Sequence, residues 1–186
     1  MYKRQALLEG RVGEAERWYR AALDRLEGAP PGPPQVPAMA RIGLAVTLAT
    51  RAREGDADPA PLLTEAADQL ATGLDLGVRV AADMPVAGTA VVAAAALALV
   101  EGDPGRAATL LGAATAVRGR RDRAGLVVLV VEEQVCDAVG EAELERRHAA
   151  GAATPRADVF ADLGVDYTGG WPGVMFAAER DQTRRR

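Results

Sequence analysis

The apolar positions of this chain recur at helical spacing, and small residues alternate with large ones along single faces. Gly10 is followed by Ala15, Tyr19 and Ala22, and Gly102 by Ala107, Leu111 and Ala114. In both sets the followers stand 5, 9 and 12 residues after the glycine. Residues three and four apart share one helix face. Alanines there let a neighbouring helix come close, and the large residue fills the space between them. The glycine ends the preceding helix, where left-handed backbone costs it little.

The turn signature recurs as well. Glu9-Gly10, Glu54-Gly55 and Glu101-Gly102 are 45 and 47 residues apart, the length of a helix pair with its connectors in a helical solenoid. The middle copy is imperfect: its second helix, PLLTEAADQL, fits only if the turn gains or loses a residue. Asp103-Pro104, Asp58-Pro59 and Thr154-Pro155 each place an N-cap before a first-turn proline.

These signals predict helices near 6–9, 13–27, 38–54, 60–75, 84–101, 104–118, 123–139, 141–150 and 155–163. APPGPPQVP (29–37) reads as a stiff connector that breaks any helix, and LGVRVAADMP (76–85) as a second break. AGLVVLVVEE (124–133) carries a β-branched run that would suit a strand, but its length and helical neighbours favour a helix. The pattern fades after Leu163. GVDYTGGWPG is loop-like, DQTRRR reads as a frayed basic end, and Trp171 is a candidate anchor for the tail or a partner. The expected organisation is a helical domain over 6–163 and an irregular tail over 164–186.

Composition narrows the core. Hydrophobic residues make up 49% and aromatics only 4%, so the core is built mainly from Ala, Val and Leu. The apolar stretch Val86–Val100 has 15 residues, too short and Ala-rich to span a bilayer. The net charge of −4 and pI near 5.2 do not make the chain an electrostatic footprint for nucleic acid. A single cysteine, Cys136, forms no internal disulfide and suits a reducing cytoplasm. No signal peptide opens the chain. Lys3 is the only lysine among many arginines, a bias that suggests a GC-rich genome. MYKRQ departs from that bias and resembles a translated transposon adapter. Residues 1–5 are therefore expected to be a non-native start, with the protein continuing upstream; a native basic N-terminus is the alternative.

Candidate chemistry is sparse. The glycines of Gly102–Gly119 suggest a phosphate loop, but that motif needs a lysine to reach the phosphates, and none follows Lys3. The dinucleotide pattern GxGxxG is missing too. Gly112 instead lies inside a helix, at a cost of roughly 1 kcal/mol against Ala, which makes sense if a neighbouring helix packs on it. Arg118, Arg120, Arg121 and Arg123 in RGRRDR are candidates for contact with an anion or a partner. They equally suit a solvated loop at a helix C-terminus, where the macrodipole favours cations. His148 is the only histidine. Cys136 stands 12 residues before it, so no metal or Cys-His spacing forms, and His148 reads as an exposed helix residue. Cys136 reads as a small buried side chain. The acidic run Glu132, Glu133, Asp137, Glu141, Glu143 and Glu145 reads as the wet face of a helix, and Trp18 and Tyr19 as core and groove positions. No catalysis, cofactor or metal is expected.

The spacing G-x4-A-x3-[YFL]-x2-A resembles the tetratricopeptide repeat. Gly10, Ala15, Tyr19 and Ala22 match its second half, with Leu23 beside them. A more specific resemblance covers residues 76–163. GDPGRAATLLGAATAVR (Gly102–Arg118) and the later VGEAELERRHAAG (Val139–Gly151) resemble the C-terminal helical region of large actinobacterial transcriptional regulators of the SARP-like and LuxR/MalT-like kinds. Val139 stands where that family usually has Leu, Leu144 where it usually has Phe, and the segment after Gly151 departs most. The resemblance implies a multidomain regulator whose DNA-binding domain, and often an activator domain and an ATPase module, lie outside these residues.

The combined expectation is an all-α, right-handed superhelix of about four helical hairpins. Its concave groove would take a protein or peptide partner, another domain of the same regulator, or an effector. No direct nucleic-acid contact and no membrane association are expected. A free-standing tetratricopeptide adaptor is one alternative. A small-molecule-binding helical domain or enzyme is another, and it would need a deep polar pocket with several convergent titratable groups.

Overall fold

The computed structural model describes residues 9–55, 58–77 and 84–165, and these are all-helical, with no strand among them. Eight helices follow in order: α1 Val12–Glu27, α2 Gln35–Glu54, α3 Pro59–Asp75, α4 Met84–Val100, α5 Pro104–Arg118, α6 Leu126–Val139, α7 Glu141–Ala152 and α8 Arg156–Asp162. The β-branched run is helical, as its length implied. Residues 1–5 and 166–186, with Trp171, lie outside the described set. Of the short helix expected over 6–9, only Glu9 is described, and it sits in a turn.

Two helix starts differ from the sequence pattern by three residues, and the others by one at most. α2 begins at Gln35, inside the expected connector, with Pro37 as its third residue. A first turn leaves its N–H groups without intrahelical partners, so Pro37 forfeits no hydrogen bond there. α6 begins three residues later than expected, because Asp122 Oδ1 accepts from the amides of Ala124 (3.0 Å) and Gly125 (2.9 Å) and folds them into a turn.

The caps also divide. Asp103 accepts from the Arg106 amide at 2.8 Å, and Asp58 from the Ala60 amide at 3.2 Å. Thr154 does not cap α8: its hydroxyl donates back to the Ala150 carbonyl at 3.5 Å, and α8 starts with no side-chain cap. Gly10, Gly55 and Gly102, the three Glu-Gly turns, have φ of 69°, 77° and 87°. That backbone is the reason glycine recurs at this point of the repeat.

The helices pack on near neighbours in sequence. α2 touches α1, α3 and α4; α4 touches α3, α5 and α6; α5 touches α6, α7 and α8. Every residue of α4 from Val86 to Leu99 is buried, which explains why this helix is apolar all round. Its alanine-rich surface is core and not the floor of an open groove. Ala15 and Tyr19 are buried and Ala22 half-buried, while Ala107, Leu111 and Ala114 are all buried. The imperfect middle copy carries the same face one turn further along its helix: Ala66, Leu70 and Gly73 are buried at the same relative spacing.

Glycines set the closest approaches. The Tyr19 ring lies against Gly43, and a Cβ on Gly73 would meet Ile42 Cγ1 at 2.8 Å. Glu16, nearly buried, accepts from Arg20 at 3.0 Å and Arg51 at 2.7 Å, and Arg20 reaches Glu65 at 2.7 Å. This network ties α1, α2 and α3 together. Trp18 is 45% exposed, contrary to its expected core role. The face of α1 that buries Ala15, Tyr19 and Leu23 turns the neighbouring Trp18 outward, where its indole N–H donates to Glu14 at 3.3 Å. Among the described residues no helix is long and apolar enough to cross a membrane.

Candidate functional site

The arginine-rich loop begins where α5 ends. Gly119 has φ 78° and closes the helix by donating its amide to the Thr115 carbonyl at 2.9 Å. The four arginines then part ways. Arg118 turns inward: its guanidinium donates to the Asp122 carboxylate, to Thr89 Oγ1 at 2.5 Å and to the Pro85 carbonyl at 3.3 Å. Its stem crosses Gly88, where a Cβ would clash with it. Burial lowers the Arg118 pKa from its ordinary value. Arg121 bridges Glu132 on α6 and Glu145 on α7. Those hydrogen bonds, Glu145's first, raise the pKa of Arg121, and Arg121 lowers that of Glu145. Arg120 and Arg123 are exposed. The loop is therefore split between two structural cations and two that face solvent.

His148 is only 8% exposed, contrary to its expected place on a wet surface. The reason is the crossing of α5 and α7, where Gly112 and Gly151 lack side chains and let α7 settle onto α5. The imidazole is thereby carried into the interior, with its Nε2 3.2 Å from Thr115 Oγ1. Burial lowers its pKa, and Arg121 lowers it further, against opposing contributions from Glu145 and Glu132.

His148 lines a cavity of about 10 Å³ together with Thr115, Arg118, Arg121, Asp122 and Glu132. Titratable groups converge here, but the volume is about that of one water, and the charged groups are already matched to each other. No group of metal-ligating side chains occurs among the described residues.

Next to this cavity lies a larger groove of about 340 Å³, with apolar walls from Met39 of α2, Val86 of α4, and Leu126, Val127 and Val128 of α6. Its size falls at the small end of ligand clefts. Arg118, Asp122 and Val128 line both spaces, so the cavity and the groove share a wall.

Sequence reading missed Met39, Thr89 and Asp122. Asp122 carried a usable signal, since an aspartate two residues before Ala-Gly is a common turn former. Thr89 carried none, because only the tertiary packing brings it to Arg118. Cys136 is half-buried. The acidic run is mostly wet, except that Glu132 is half-buried against Arg121, and Glu143 against Arg146 and Arg147. Comparison with protein-family models, with curated proteins and with solved structures finds no match.

Proposed function

We propose that this chain is a non-catalytic helical-repeat module that binds a protein or peptide segment, and that it serves as the interaction or effector-sensing part of a cytoplasmic transcriptional regulator. The observation that carries the binding reading is the groove beside Arg118 and Asp122, apolar along Met39, Val86 and Leu126–Val128 and about 340 Å³ in volume. An apolar side chain of an incoming segment fits such walls, and the hydrogen-bonded Arg118–Asp122 pair offers polar contact at the rim. The small-molecule alternative draws less support, because the convergent titratable groups surround only a water-sized space. The regulator reading rests on the resemblance of Gly102–Arg118 and Val139–Gly151 to the helical regions of SARP-like and LuxR/MalT-like regulators.

Two experiments test these halves separately. Genomic sequence upstream of residue 6 is expected to continue in frame into DNA-binding or ATPase segments. A complete reading frame without them overturns the regulator reading and leaves a free-standing adaptor. Selection from a random-peptide library is expected to enrich segments with an apolar anchor. Their binding should fall at least tenfold on Leu126→Glu, a substitution at a half-buried groove position. Enrichment that ignores this substitution overturns the assignment of the groove.

A further inference from the structure

The shared wall gives His148 a route to the groove. The imidazole sits in the cavity with Thr115 and Arg118 of α5, Arg121 and Asp122 of the loop, and Glu132 of α6, while Glu145 of its own helix is close enough to affect its charge. Among these, Arg121 is the keystone, holding α6 through Glu132 and α7 through Glu145. Its chain neighbour Asp122 accepts at once from Arg118, from the Ala124 amide and from the Gly125 amide. Asp122 therefore sets both the position of Arg118 and the start of α6, and the start of α6 forms the groove wall at Leu126–Val128.

We infer that His148 is a proton-operated latch on this groove: the neutral imidazole lets Arg121 hold the loop in place, and the imidazolium displaces Arg121 and moves the Asp122–Val128 wall. The inference rests on the groove being the binding surface described above. A second cation in a space of about 10 Å³ has room for about one water between it and Arg121, so the two like charges repel with little screening. It competes for the two carboxylates that Arg121 occupies. Release of Arg121 pulls on Asp122 and through it on Arg118 and the first turn of α6.

The chain holds one histidine, so every imidazole signal in its NMR spectrum is His148. In the full chain, the imidazole resonances and the methyl resonances of Leu126 and Val128 are followed from pH 8 to pH 5. The expected result is that the methyls shift with the same midpoint as the imidazole. In His148→Gln they should stay flat over that range. Arg121→Gln, which leaves the imidazole in place but removes the group it displaces, should raise the imidazole midpoint and leave the methyls flat as His148 titrates. Methyl resonances of the unsubstituted chain that stay flat while His148 titrates overturn the latch, as does a methyl shift that persists in His148→Gln. Neither outcome depends on peptide binding, so the latch and the groove assignment fail independently.

Discussion

Gly112 of α5 and Gly151 of α7 face each other so closely that neither tolerates a side chain. A Cβ on Gly112 would clash with the His148 carbonyl oxygen and lie 2.9 Å from the Ala152 amide nitrogen. A Cβ on Gly151 would clash with the Thr109 carbonyl oxygen and lie 2.8 Å from the Ala113 amide nitrogen. Helix propensity and packing oppose each other here. Propensity alone favours Ala over Gly at Gly112 by roughly 1 kcal/mol. Overpacking against a rigid backbone costs about 1–3 kcal/mol or more. Gly112→Ala is therefore expected to destabilise the protein in urea unfolding, and a stabilised variant would show that the helices do not cross at this distance.

The caps yield a paired test. Asp103 accepts from the Arg106 amide, and Asp103→Ala should cost about 0.5–2 kcal/mol. Thr154 precedes a proline in the same way, but its hydroxyl turns back to Ala150. Thr154→Ala should stay within about 0.5 kcal/mol. Thermal unfolding of the two variants, compared with the parent, separates them.

The arginines of the loop should differ in the same assay. Arg118 is mostly buried, with its side chain 15% exposed, and holds Asp122, Thr89 and the Pro85 carbonyl. Arg118→Ala removes one donor from each of those acceptors and leaves Asp122 without its cation, and should cost about 1–3 kcal/mol. Arg120 is exposed, and Arg120→Ala should change stability by less than about 0.5 kcal/mol. Equal effects would contradict the division of the loop into structural and solvent-facing cations.

His148 makes stability depend on pH in a defined window. Its pKa in the folded protein lies below the ordinary 6.5, through burial first and Arg121 second. As pH falls through 6.5 the unfolded chain takes up a proton that the folded chain does not, so stability falls. The contribution is complete above about pH 7 and is lost below it, down to the folded pKa, with a limiting slope of about 1.4 kcal/mol per pH unit. Carboxylates with lowered pKa, such as Glu65 and Glu145, act in the same direction but only near and below their ordinary 4.5. Urea unfolding at pH 7.5, 6.5 and 5.5 should show the loss, and His148→Gln should flatten it across that interval.

Local chemistry made most of the helices readable. Asp58 and Asp103 cap where a capping residue precedes a proline, the Glu-Gly turns adopt left-handed backbone, and α5 occupies the residues its pattern marks. The misreadings fall where another helix decides. ERRHAAG is polar on every side as a sequence, so nothing in it announces that His148 is buried. Only the bare backbones of Gly112 and Gly151 allow the approach that buries it. Trp18 looks like core by composition, yet the orientation of α1 turns it out. Thr89 and Arg118 are 29 residues apart, and no spacing rule links them.

By itself the sequence determined that the chain is helical, where its left-handed Glu-Gly turns fall, and that its core is made mainly of Ala, Val and Leu, because propensity, caps and left-handed glycines act over a few residues. The tertiary structure decided which polar groups meet, that α4 is buried from Val86 to Leu99, and that a groove opens beside Arg118 and Asp122. Those outcomes depend on how closely helices distant in sequence approach, and that distance is set by the side chains, or their absence, on both helices at once.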